Sequence, residues 1–117
     1  MLLVVDDDLG ILRLLESFLK DEGYRVMTAS NGAEALKRVQ EERPKLILLD
    51  LGMPIMDGPS FVAALRSGGD HNIPIVLMTA ATDGRRHARE LRTNGCLNKP
   101  LDLDRLLGCI QSIVAAA

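Results

Sequence analysis

Six residues of this 117-residue chain have types and positions suited to chemistry: Asp6, Asp7, Asp50, Gly52, Thr79 and Lys99. The apolar run from Met1 to Val5 stops abruptly at Asp6-Asp7-Asp8, and the run Leu46-Ile47-Leu48-Leu49 stops in the same way at Asp50. If the two runs are parallel neighbouring strands, their backbones lie roughly 4.8 Å apart, and Asp6, Asp7 and Asp50 surround one small space. Carboxylates that close repel by roughly a few kcal/mol per pair at an effective dielectric near 20. A cation among them removes that cost, and hard oxygen ligands with room for water suit Mg²⁺. The same acids could instead be solvated loop residues, which are common after strands.

Two further runs deliver partners of the opposite kind. Val76-Leu77-Met78 leads to Thr79, and a short run through Leu97-Asn98 leads to Lys99, immediately before Pro100. Three acids, a hydroxyl and an ammonium suit phosphoryl transfer to a carboxylate. Asp50 would be the nucleophile, forming an acyl phosphate. Mg²⁺ held by Asp7 and Asp50, with Asp6 acting through water and the backbone carbonyl of Gly52 completing the shell, would neutralise phosphoryl oxygens. Lys99 would add a second positive charge, and Thr79 a hydrogen bond to a phosphoryl oxygen. No His or Cys base–nucleophile pair accompanies the set, which argues against triad hydrolysis. No Gly-x-x-x-x-Gly-Lys loop is present to cradle a nucleotide.

The elements that must position these residues alternate strand and helix five times. Leu2–Val5 precedes a helix from Leu9 to Glu22, with the apolar stripe Ile11, Leu14, Leu15, Phe18 and Leu19. Asp8 caps its start and Gly23 its end. A short outer strand at Tyr24–Thr28 leads to a helix from Ala33 to Glu42, capped by Ser30, that buries Ala35, Leu36 and Val39. The strand Lys45–Leu49 and its loop precede a helix opened by Asp57-Gly58-Pro59, since a proline in the first turn needs no donor. That helix runs to about Ser67, and Gly68-Gly69 end it. A fourth strand at Ile73–Met78 is followed by a helix begun by Thr82 or Asp83 and running to about Thr93. Leu97-Asn98 is the short fifth strand. Leu103, Leu106, Leu107, Ile110, Ile113 and Val114 form the last helical stripe. The expected fold is α/β, a (βα)5 doubly wound parallel sheet with helices on both faces, because βαβ crossovers are right-handed. In such sheets the site lies beyond the carboxyl ends of the strands.

Size and composition set the outer limits. The length suits one domain spanning residues 1–117. Hydrophobic residues at 47% and charged residues at 26% are ordinary globular values, so no class of unusual composition is indicated. A net charge of −2 gives no footprint for nucleic acid within this chain. The apolar runs are too short to span a bilayer, and with acids at residue 6 no charged leader is expected. Cys96 and Cys109 have no metal-ligand spacing and read as reduced small apolar residues of a cytoplasmic protein. His71 and His87 fall at no strand end and read as surface residues.

The motifs Val4-Val5-Asp6-Asp7-Asp8, Leu48-Leu49-Asp50-Leu51-Gly52-Met53-Pro54-Ile55-Met56-Asp57-Gly58, Met78-Thr79-Ala80 and Asn98-Lys99-Pro100 together resemble the receiver domains of two-component response regulators. The resemblance covers the whole chain. It implies a flavodoxin-like sheet of order 2-1-3-4-5, as in chemotaxis regulators, and a cis Lys99–Pro100 bond. It implies a histidine kinase or histidine phosphotransfer protein as phosphoryl donor, and a domain that catalyses only its own phosphorylation and dephosphorylation. It further implies a population shift over the surface of helix 4, strand 5 and helix 5, and a homodimer formed through helices 4 and 5.

Three departures from the family pattern stand out. Cys96 occupies the position where many receivers carry a switching aromatic ring beside the switch residue Thr79. Leu91-Arg92-Thr93-Asn94-Gly95 lacks the usual Gly-Ala before strand 5, so an irregular connection is expected. Gly52 and Ala81 hold positions that tune phosphate lifetime in the family. Neither can orient a hydrolytic water, so the acyl phosphate is expected not to be unusually short-lived. Arg85, Arg89 and Arg92 share a face at i, i+4 and i+7, which would suit an acidic partner. The alternative is a solvated face with Glu90 as partial counter-charge.

Two other functions compete. A phosphatase of the haloacid dehalogenase type also uses Asp, Thr and Lys at strand ends, and Asp6-x-Asp8 matches its motif formally. Gly10 then stands where Thr or Val should, Asp102 and Asp104 open a helix instead of ending a strand, and no cap domain fits this length. A receiver-like module that docks without phosphorylation would not need the intact acids, Thr79 and Lys99.

Overall fold

The computed structural model describes residues 1–53, 55–69, 72–80 and 84–116, the side chains of Arg85 and Ala116 aside. Five strands and five helices alternate: β1 Leu2–Val5, α1 Leu9–Asp21, β2 Val26–Ala29, α2 Gly32–Glu41, β3 Leu46–Asp50, α3 Gly58–Ser67, β4 Ile75–Thr79, α4 Gly84–Glu90, β5 Gly95–Asn98 and α5 Leu103–Ala116. The strands form one parallel sheet of order β2-β1-β3-β4-β5, the expected doubly wound α/β fold.

β1, β3 and β4 are buried throughout, which is why they read as continuous apolar runs with no polar alternation. Side chains still alternate between faces. Leu3, Val5, Ile47, Leu49, Ile75 and Leu77 meet Ala35, Val39, Phe61 and Leu65 of α2 and α3 on one side. Leu2, Val4, Leu46, Leu48, Val76 and Met78 meet Leu12, Leu15, Leu19, Leu106 and Ile110 of α1 and α5 on the other. Each buried Leu or Ile contributes roughly 1.5–3 kcal/mol relative to exposure. Among the described residues no helix is long and apolar enough to cross a membrane.

Most caps follow the sequence. Asp8 accepts the amides of Gly10 and Ile11, Asp57 accepts that of Ser60, and Gly23 and Gly69 end their helices at φ 95° and 97°, a region open to glycine. Three expectations need correction. Asn31, not Ser30, caps α2 through the Glu34 amide; Ser30 instead donates its hydroxyl to the Glu34 carboxylate. Leu14 is exposed, because the face of α1 that meets the sheet carries Leu12, Leu15 and Leu19. The α4 helix stops at Glu90, well before Thr93. Arg92 turns to φ 54°, and the Arg66 guanidinium donates to the carbonyls of Leu91 and Arg92, ending the helix from outside. The expected irregular connection follows. Asn94 takes over the strand-like pairing with Ile75, its amide donating to the Ile75 carbonyl at 2.7 Å and its Oδ1 accepting from the Ile75 amide at 3.0 Å. The expected starts of α4 at Thr82 or Asp83 lie outside the described residues.

Candidate phosphoacceptor site

Strand register brings the chemistry to one level. Val5 pairs with Leu49, so Asp6 follows β1 where Asp50 ends β3. Asp50 pairs with Met78, one residue before Thr79. Thr79 pairs with Asn98, one residue before Lys99, and the Lys99 amide donates to the Thr79 carbonyl at 2.8 Å. The tight Gly58 turn holds the far side of Asp50. A Cβ at Gly58 would stand 2.8 Å from the Asp50 carbonyl oxygen, closer than side-chain carbons come to backbone, so only glycine lets α3 start so near the strand.

One carboxylate oxygen from each of Asp6, Asp7 and Asp50 lies within 4.8 Å of the others. Asp6 is fully buried, Asp50 nearly so, and Asp7 exposed. The Lys99 ammonium spans the first and last, at 2.8 Å from Asp6 Oδ2 and 3.2 Å from Asp50 Oδ1. The other oxygen of Asp6 accepts the Asp8 amide at 2.9 Å. Burial, and next the charge of Asp6, push the Asp50 carboxyl above its ordinary range, with Lys99 partly opposing them. Burial alone would lower Lys99, but its hydrogen bond to Asp6 and the two carboxylate charges outweigh it, so the ammonium is held above its usual range. The Lys99–Pro100 bond is cis, as the resemblance implied.

The donor set consists of hard oxygens in a cluster open to water on the Asp7 side. These residues therefore fit a small divalent cation such as Mg²⁺.

Thr79 is buried at the end of β4. Cys96, on β5, packs with the sheet face that holds α2 and α3, whereas Cys109 packs on the opposite face. Neither cysteine is in a disulfide, and burial raises the Cys109 thiol. Gly84, the first residue of α4, rests on Thr79 and Cys96 together. A Cβ there would stand 2.6 Å from Thr79 Cγ2 and 2.7 Å from Cys96 Sγ. The two expected switch residues thus share one contact with α4.

The arginine stripe is not continuous. Arg89 is exposed on α4, Arg92 lies beyond the helix end, and the Arg85 side chain is outside the described set. Arg86 pairs with Glu90 at 3.7 Å. Pro54, His71 and Ala81 also lie outside the described residues. His87 is a site neighbour that strand-end reasoning missed: it borders the cavity beside Asp50 and Thr79.

The family profile described as response regulator receiver domain matches residues 2–111. The chain is 40% identical over 114 residues to the transcriptional regulatory protein PrrA of Mycobacterium tuberculosis, covering 96% of this chain and 48% of that protein. It therefore spans about half the length of that relative. It is 37% identical over 112 residues to sporulation initiation phosphotransferase F of Bacillus subtilis, covering 94% and 90% of the two. Among solved structures, the chemotaxis response regulator CheY4 of Vibrio cholerae superposes with a TM-score of 0.87 at 34% identity, over 96% of each chain. A matching profile over nearly the whole chain, the 2-1-3-4-5 sheet and acids gathered at its carboxyl edge agree: this chain belongs to the receiver domains of two-component response regulators, which act as phosphoacceptor signalling domains.

Proposed function

We propose that residues 1–117 form one receiver domain that takes a phosphoryl group on Asp50 from a histidine kinase or a histidine phosphotransfer protein. The observation that carries this reading is the Asp6–Asp7–Asp50 cluster with Lys99 spanning its buried side. Asp6, Asp7, Asp50 and the Gly52 carbonyl would hold Mg²⁺, which when bound supplies positive charge to neutralise phosphoryl oxygens. An Asp50 oxygen attacks phosphorus as the donor's P–N bond breaks, and the electron pair leaves with the donor imidazole. Lys99 stabilises the negative charge on the transferring group, and the Thr79 hydroxyl donates to one of its oxygens. The chain so catalyses its own phosphorylation, with the phosphohistidine donor as co-substrate.

Movement of Thr79 toward the phosphoryl group would be felt at Gly84 and Cys96, which share its contact. That contact offers α4 a steric route to respond where a switching ring is lacking. Arg89, with Arg85 and Arg92 near it in sequence, remains the proposed contact for an acidic partner, and α4 with α5 the proposed homodimer face. The absence of an apolar spanning helix among the described residues fits a cytoplasmic setting.

Phosphoramidate, a small mimic of phosphohistidine, supplies the test. After incubation with Mg²⁺, borohydride reduction converts an acyl-phosphorylated aspartate to homoserine, which peptide mass mapping locates. Homoserine is expected at position 50. Homoserine at Asp6, Asp7 or Asp57 in its place, or at no position, would refute the assignment.

A further inference from the structure

His87 sits on α4, half-buried, and borders the same cavity as Asp50, Gly52, Asp57 and Thr79, a space of about 440 Å³. Asp6 and Lys99 do not border it. A group attached to Asp50 therefore has this cavity beside it. The space exceeds many times the roughly 30 Å³ that a water occupies in the liquid, and beside Gly52 a Cβ would meet none of the described residues within 4 Å. A phosphoryl group and an attacking water both fit.

The groups around the cavity are not equally suited to hold that water. Asp57 accepts the Ser60 amide at 2.8 Å as the cap of α3, and its charge repels an anionic phosphoryl group. Gly52 has no side chain. Thr79 lies at the level of the phosphoryl oxygens, by the register of β3 and β4. An imidazole both accepts and donates hydrogen bonds and can take up a proton, and His87 brings it from the α4 side.

We propose that His87 receives the water that hydrolyses the Asp50 phosphoryl group and so sets its lifetime, an inference that rests on Asp50 being the phosphoacceptor. The water oxygen forms a bond to phosphorus as the bond from phosphorus to the Asp50 oxygen breaks. The bonding electrons leave with Asp50, restoring its carboxylate. The imidazole takes one proton from the water and passes it to a phosphate oxygen. The acyl phosphate dianion and water thus become a carboxylate and dihydrogen phosphate, with charge conserved. His87 supplies the side chain that Gly52 and Ala81 lack.

The test follows loss of the phosphorylated intact mass in Mg²⁺ buffer after removal of acetyl phosphate, with the phosphorylation rate measured in parallel. His87→Ala is expected to lose phosphate about tenfold more slowly, below the 10²–10⁴ typical of a fully aligned acid–base group, while phosphorylation slows far less. His87→Gln, which keeps the hydrogen bond but cannot take the proton, is expected to fall between and guards against poor folding of the alanine variant. Equal lifetimes in all three proteins would overturn the inference alone. So would equal slowing of phosphorylation and hydrolysis, which marks a deformed pocket. A wild-type chain that never gains phosphate would instead overturn the phosphoacceptor reading beneath it.

Discussion

Lys99→Met is expected to lower the unfolding free energy in EDTA at pH 7 by about 2–3 kcal/mol, and Mg²⁺ is expected to restore most of the loss. The Lys99 ammonium reaches Asp6 at 2.8 Å and Asp50 at 3.2 Å, and the Asp6 side chain has no solvent exposure. Methionine keeps the aliphatic stem but leaves the two carboxylates facing each other uncompensated. Breaking a buried pair from one side costs about 3–5 kcal/mol. One-fifth of the Lys99 side chain remains exposed, so water reaches the gap and the expected cost lies at or just below the bottom of that range. The Lys99 pKa is raised in the fold, so its contribution is complete below its ordinary value of 10.5 and is lost only as pH rises through the folded value. At pH 7 the full effect is present. With a urea slope of about 1–3 kcal/mol per molar, the midpoint should fall by roughly 0.7–3 M. A ligand that binds only the folded state stabilises it by mass action, and Mg²⁺ should raise the midpoint of the variant more than that of the parent. An unchanged midpoint in EDTA would show that Lys99 does not screen the cluster.

Asp50→Asn has the opposite sign without metal and a large effect with it. Burial first, and the Asp6 charge second, raise the Asp50 carboxyl above its ordinary 3.8 despite Lys99. The folded chain therefore holds that proton more tightly than the unfolded chain. As pH rises from 3.8 through the raised folded value, stability is lost, because the native state must give up a proton it favours. Asparagine does not titrate. In EDTA the variant should be the more stable protein at pH 7, with the gap closing as pH falls toward 3.8. In Mg²⁺ the order reverses, because the variant lacks a ligand. Half-maximal stabilisation should need roughly tenfold more Mg²⁺ or above, about 1.4 kcal/mol or more in binding. Urea titrations across pH, with EDTA or Mg²⁺, decide the matter. A parent chain more stable than Asp50→Asn in EDTA at pH 7 would mean that Lys99's attraction outweighs burial and Asp6's repulsion.

The buried strands and the residues just past them were legible because a strand covered on both faces has no polar alternation. Its first acid or hydroxyl marks its end, as Asp6, Asp50 and Thr79 do. Register then needed only parallel pairing to bring those ends level. What was not legible depends on lateral placement, which periodicity does not encode. Leu14 matches a helical stripe as well as Leu12, and only the tilt of α1 on the sheet decides which is buried. The length of α4 depends on Arg66, which reaches across from α3 to the Leu91 and Arg92 carbonyls. His87 reaches the cavity because Gly84 lets α4 rest directly on Thr79 and Cys96. In sequence, Gly84 is one glycine in the first turn of an expected helix, and Cys96 stands out only against the family pattern. Ser30 and Asn31 are both good caps side by side, and the backbone at Asn31 selects the second.

Mg²⁺-dependent phosphorylation of Asp50 is read without intermediaries from the intact mass after incubation with acetyl phosphate. Three samples suffice: the parent chain with Mg²⁺, the parent chain with EDTA, and Asp50→Asn with Mg²⁺. A gain of one phosphate in the first sample alone is the predicted result. A folded parent chain that gains none, even from a histidine kinase donor, would contradict the claim and leave a docking module that works without phosphorylation. Equal gain in the Asp50→Asn sample would place the chemistry on another residue.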